Sequence, residues 1–302
     1  MTRGLHSANV LLAQIAETPQ IPLLPTTGRN IAGKIRTMRI PTFYVDAFTD
    51  RPFSGNPAAV CLLNSWLDDE GLHKVAAENN LSATAFLLPR GKDYEIRWFT
   101  ARCELKLCGH ATLAAGFVVF NFLRPEAEAV RFASRFHGAL TVEKSGDSLA
   151  MNFPALFPQP KPEVPRELTR ALSQIKLRPS EIWEVNQIYM LVLDDQRAVQ
   201  NLTPDFEAFQ PLHPHAVLIT ARGEEADFVS RYFAPGYGIA EDPATGSSHC
   251  LLTPYWSQRL GKSRLHARQL SQRGGELWCE LSGDRVLLQS SAVLTMRGTL
   301  SI

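Results

Sequence analysis

No lysine–arginine block occurs anywhere in this chain, and no cysteine pair has CxxC spacing. No uninterrupted apolar run reaches the ~18–20 residues that span a bilayer. Each absence excludes a class of function. Thirty-one Lys and Arg against 30 Asp and Glu give a formal net charge of +1, so no global field recruits nucleic acid or an acidic membrane. Neither is expected as a partner. The five cysteines, Cys61, Cys103, Cys108, Cys250 and Cys279, form an odd set. Cys103 and Cys108 stand five apart, which is not a zinc spacing, so no metal site is expected. Free thiols imply a reducing compartment, and the chain reads as cytoplasmic. The nearest approach to a membrane span, LCGHATLAAGFVVFNFL (107–123), carries His110, Thr112 and Asn121 and reads as a buried helix.

What is present is the composition of a globular protein, 45% hydrophobic and 20% charged over 302 residues. That length suits two domains of roughly 100–200 residues each. Residues 1–37 stand apart: four basic residues (Arg3, Arg29, Lys34, Arg36), one acid (Glu17), prolines at 19, 22 and 25, and no periodicity. They read as a basic leader or an upstream extension and are expected to be poorly ordered. From Met38 onward strands alternate with helices. Strands are expected at 41–49, 58–63, 84–89, 94–100, 139–145 and 148–153, and an amphipathic helix at 67–80. Prolines then cluster in FPALFPQPKPEVP (153–165), a crossing point between domains. The plan repeats beyond it, with a helix at 165–175, strands at 188–194 and 215–221, and a terminal pair of strands at 277–283 and 285–300.

Two segments share an unusual device. Residues 107–123 and PATGSSHCLLTPYWS (243–257) contain no Asp, Glu, Lys or Arg. A helix uncharged on every side is surrounded by protein. Each opens on a glycine beside small hydroxylic or imidazole residues, Gly109-His110-Ala111-Thr112 and Thr245-Gly246-Ser247-Ser248. Helix N-termini present unpaired N–H groups and favour anions, so two of them aimed at one cleft would suit a small carboxylate-bearing molecule. In EDPATGSSHC (241–250), Asp242 reads as the helix N-cap and Pro243 as the first helical residue.

Four segments in order, FSGNPAAVCLL (53–63), LCGHATLAAG (107–116), FAPGYGIAEDPATGSSHC (233–250) and QLSQRGGEL (269–277), resemble the PhzF-like phenazine-biosynthesis isomerase family. That family shares its architecture with diaminopimelate epimerase. The resemblance spans 38–302 and implies an α+β fold of two similar domains, each a curved, barrel-like mixed sheet wrapped around a central buried helix. The domains would cover 38–152 and 153–290, with the last strand, 291–302, returning to the first. The resemblance also implies a homodimer and cofactor-free proton transfer on a dihydro-hydroxyanthranilate-like carboxylate. By motif position it makes His110, Asp242 and Ser247 site residues. Asn56, Ser82, Gly109 and Gly246 fall where substrate would be held.

Two positions depart from the pattern: Ala101 in FTARCEL, where the family usually has proline and a loop is altered, and the acid/base position. The family's general acid/base glutamate lies in a segment reading N-L-S-E-T-A-F, where this chain has NNLSATAF (79–86), so Ala83 takes its place. A methyl group carries no proton, and general acid–base catalysis contributes ~10²- to 10⁴-fold. Glu78, five residues upstream at a helix end, and Glu104, six residues before His110 in a loop, do not substitute in place, since a 1 Å misplacement costs ~100-fold, which leaves Asp242 as the best remaining base. Cys108 precedes Gly-His where related epimerases carry a catalytic cysteine. No second cysteine sits at the matching place near Gly246, so Cys108, like His249 and Cys250, reads as a packing residue. Two functions stay open: an isomerase impaired at its acid/base position, and a non-catalytic binding or interaction protein on the same scaffold.

Overall fold

The structure is a computed structural model that describes residues 27–29 and 36–302. The expectation of poor order in the leader concerns residues that mostly lie outside this range. Within it, Thr27–Arg29 pairs antiparallel with residues 36–38. The chain divides into a small unit, residues 1–40 and 300–302, and a large one, residues 41–299. In the small unit Met38 and Ile302 exchange both backbone hydrogen bonds, at 2.7 and 2.9 Å. Everything below concerns the large unit.

Its N-terminal half contains the strands Arg36–Ala47 (from residue 41), Asn56–Leu62, Ala83–Arg90, Asp93–Phe99, Ala129–Ser134, Gly138–Ser145 and Ser148–Pro154. Taken in that order, neighbours pair antiparallel, parallel, antiparallel, parallel, antiparallel and antiparallel. The C-terminal half contains Glu181–Val185, Ile188–Val192, Ala216–Arg222, Phe228–Ala234, Arg264–Gln269, Gly275–Ser282 and Arg285–Ser290. It repeats the same six relations. The last strands of the two halves, Ser148–Pro154 and Arg285–Ser290, pair antiparallel with each other. One curved, unclosed sheet therefore runs through both halves, and the fold is α+β.

Parallel neighbours need a crossover, and helices supply it. The helix Asp69–Asn79 bridges the first parallel pair; Asp68 caps it by accepting from the Gly71 N–H, and Asn80 ends it in the left-handed region. The second parallel pair of each half is bridged by a helix that opens on one of the charge-free segments, Gly109–Val118 in one and Gly246–Leu260, with Arg259 in its last turn, in the other. The first packs on the sheet of its own half; at Gly116 an added Cβ would lie 2.6 Å from Val142. The second lays Trp256 over Phe228 and donates from its indole N–H to Thr220. Both sit in one apolar cluster that draws Phe43, Trp98 and Phe132 from one half and Phe228, Trp256 and Val286 from the other. A second cluster packs Leu168 and Leu172 of the helix Arg166–Gln174 over Leu191, Ile219 and Phe233. The C-terminal half is thus covered on both faces.

Two local expectations fail. Residues 107–123 are not one buried helix: the α-helix ends at Val118, and a π-helical turn, Val119–Leu123, brings Asn121 to the surface. Nor does Asp242 cap the helix Gly246–Leu260. It ends the strand Ile239–Asp242, and the helix starts at Gly246 with Thr245 in the capping position. Pairing of Asp242 with Tyr232 outweighs the local preference for a helix start.

Candidate active site

Asn56 opens its strand on the helix-facing side and is fully buried. One side-chain nitrogen serves two acceptors from the other half, Asp242 Oδ1 at 2.8 Å and the Ala244 carbonyl at 2.7 Å. Its own Oδ1 is buried and, among the described residues, has no partner. Asp242 is held at every oxygen. Oδ1 accepts from Asn56, Oδ2 accepts from the Thr245 hydroxyl at 2.5 Å, and the backbone carbonyl accepts from Gln269 Nε2 at 2.7 Å. Burial pushes the Asp242 carboxyl up to about 6, and the Thr245 and Asn56 hydrogen bonds hold it from rising further. The neighbouring Glu241 adds to the rise, although Arg231 grips it at 2.7 and 2.9 Å.

The two central helices meet end to end at this carboxylate. A Cβ built on Gly109 would approach Gly246 Cα to 3.9 Å, and one built on Gly246 would lie 3.0 Å from the Phe48 ring. The first distance is an ordinary contact between the two helix starts; the second is tight, and a side chain at Gly246 would press on the Phe48 ring. His110, 9% exposed, stands one residue into the first helix, and burial pulls its imidazole down to about 4. It is neutral near pH 7, with a ring able to hydrogen-bond and no imidazolium charge. Its Nδ1 lies 3.5 Å from Cys108 Sγ. The Cys108 thiol is pushed up to about 12 by burial, with the Asp242 charge adding to the rise, so no thiolate forms there at neutral pH.

Ala83 begins its strand, is fully buried, and stands in register with Ala58, two residues beyond Asn56 on the same face. Ser82 is half-buried and Ser247 is exposed. The structure thus brings Asn56, Asp242, Gly109 and Gly246 together, with His110 and Cys108 beside them and Ala83 on the adjoining strand. Among the described residues, neither His110 nor Ser247 hydrogen-bonds to Asp242 or Asn56. Glu78 is exposed at a helix end, and Glu104 accepts from Arg97 Nε and Nη2, each at 2.7 Å. Among the described residues, no group of three or more His, Cys, Asp or Glu is arranged to hold a metal, and no helix is long and apolar enough to cross a membrane.

Residues 45–298 match the family model described as phenazine biosynthesis-like protein, PhzC-PhzF. The chain belongs to that family. It is similar to an uncharacterized isomerase of Pseudomonas aeruginosa, 48% identical over 265 residues that cover 88% of this chain and 100% of that protein. It is also similar to a crystal structure of a PhzF-family phenazine biosynthesis protein from Enterococcus faecalis. The TM-score is 0.83 at 40% identity, covering 88% of this chain and 100% of that one. A predicted epimerase from Pseudomonas aeruginosa, 22% identical with a TM-score of 0.66, shares the fold over 86% of this chain and 99% of its own.

In this PhzF-family chain, two residues beside Asp242 lie within the matched motifs, which by themselves assign them no part. Gln269 is 1% exposed; it accepts from the Thr245 N–H at 2.9 Å while donating to the Asp242 carbonyl. Its signal is the alternation Leu265, Ala267, Gln269, which places a polar side chain in line with a buried face. Thr245 is the other, because its hydroxyl looks like a helix cap and instead serves Asp242.

Proposed function

We propose that this chain carries an isomerase-type cleft for a small carboxylate-bearing, dihydro-hydroxyanthranilate-like molecule, impaired in proton transfer because Ala83 stands in place of the general acid/base. The observation that carries the reading is the meeting of two uncharged helix N-termini at Asp242 and Asn56, with Ala83 on the adjoining strand. Backbone N–H groups at the two helix starts favour a substrate carboxylate. Neutral His110 and the buried Asn56 Oδ1 supply hydrogen-bonding atoms to orient a ring. Asp242, near 6, is poised between its two protonation states and serves as the remaining base. The proposal needs no cofactor, and its quaternary state is a homodimer.

A second reading, a binding protein without turnover, draws on Ala83 as well, since loss of a proton carrier leaves anion binding untouched. One experiment separates the two. The protein and its Ala83→Glu variant are incubated with a dihydro-hydroxyanthranilate in deuterated water, and ring deuteration is followed by NMR. The expected result is ligand binding by both proteins, with exchange ~10²- to 10⁴-fold faster in the variant. A folded variant that binds the ligand without any gain in exchange overturns the isomerase reading and favours the binding protein.

A further inference from the structure

The turn that delivers Asn56 is held from the opposite half of the molecule. Residues 48–55 connect the strands Arg36–Ala47 and Asn56–Leu62, and three of them, Phe48, Phe53 and Gly55, have φ between 62° and 67°. Phe53 adopts that left-handed conformation while 79% exposed, so its own packing does not impose it. Its N–H is fixed at 2.7 Å on Asp46 Oδ2. Asp46 is buried, and its other oxygen accepts from Arg273 Nη2 at 2.7 Å. The same guanidinium donates to the Ser54 carbonyl at 2.9 Å and, through Nε, to the Gly55 carbonyl at 2.8 Å. Two backbone bonds close the seam: Gly55 N–H to the Arg273 carbonyl at 3.3 Å, and Glu276 N–H to the Phe48 carbonyl at 3.0 Å. The next residue along the chain is Asn56.

We infer that Arg273 is a positioning residue of the cleft: by holding Asp46 and the carbonyls of Ser54 and Gly55, it fixes the Asn56 side chain against Asp242. A planar guanidinium meets three acceptors at once, which the single ammonium of lysine cannot do in one place. Arg273 touches no reacting group and acts through the turn. The inference rests on Asn56 and Asp242 being cleft residues, and it is independent of turnover.

The test reads the ligand-free protein, so its failure is distinct from failure of the exchange experiment. The Asp242 carboxyl is titrated by 13C NMR in aspartate-labelled protein and assigned with Asp242→Asn. The groups facing it are Glu241, Cys108, Tyr232, Thr245 and Asn56. Arg273→Lys keeps the positive charge and loses the fork. It is expected to raise the Asp242 midpoint by about one unit, because the Asn56 donor is withdrawn. Asn56→Ala alone should give the same rise, and Asn56→Ala with Arg273→Lys should give no more than Asn56→Ala. An unmoved midpoint in folded Arg273→Lys overturns the inference, as does a rise that adds to that of Asn56→Ala. Asp46→Asn loosens the same clamp from its other end and decides the question if the lysine variant does not fold.

Discussion

At the scale of single residues, burial works against charge around the two helix starts. Asp242 is raised to about 6, while His110 and the fully buried His249 are both lowered to about 4. The signs oppose each other. For each histidine the unfolded chain takes up its proton near 6.5 and the folded chain only near 4, so stability is full above 6.5 and falls as pH drops through that window. The loss is of the order of 3 kcal/mol per histidine. Asp242 does the reverse: between 6 and 3.8 the folded protein holds a proton that the unfolded chain lacks, which adds stability on acidification. Two groups against one predict a net loss from pH 6.5 to 4.5 in urea unfolding. Asp242→Asn removes the offset and should steepen that loss; a profile flat across the window would count against these shifts.

Elements are set by close backbone approach as much as by apolar periodicity. The uncharged helix Gly109–Val118 lies so near the strand Gly138–Ser145 that Gly116 has no room for a side chain. Alanine there gains about 1 kcal/mol of helix propensity but places a methyl 2.6 Å from Val142. Overpacking costs about 1–3 kcal/mol, so Gly116→Ala is expected to be destabilising overall by thermal or chemical unfolding. A neutral or stabilising result would mean that the helix can shift away from the sheet. The start of the helix Gly246–Leu260 shows the same dominance of tertiary pairing. Asp242-Pro243 has the chemistry of a helix cap, yet residues 239–242 extend as a strand beside Phe228–Ala234 and the helix begins later, at Gly246. That delay places the Asp242 carboxylate beyond the helix end, where Thr245 and Asn56 reach it.

Over residues 41–299 as a whole, the two halves share both a sheet and a core. The strands Ser148–Pro154 and Arg285–Ser290 join the sheets, and one apolar cluster takes side chains from both halves. Opening either half would expose core belonging to the other. Unfolding is therefore expected as a single transition, coincident by far-UV circular dichroism and tryptophan fluorescence, with Trp98 reporting on one half and Trp256 on the other. Two separated transitions would show that each half is stable alone.

The sequence by itself determined the alternation of strands and helices, the two charge-free segments that start the central helices and the glycines at those starts. Each of these is a local pattern of hydrophobicity or of side-chain size. It also placed Asn56, Ala83, His110 and Asp242 in motifs of one family, though no spacing within the chain says that Asn56 and Asp242, 186 residues apart, share a hydrogen bond. Only the tertiary structure decided that contact, the use of Thr245 and Gln269 as partners of Asp242, and the Arg273 clamp on the Asn56 turn. The physical reason is the same in each case. A buried polar atom must find a partner wherever the folded chain brings one, and that partner is set by how strands from the two halves lie together, which no window of neighbouring residues encodes.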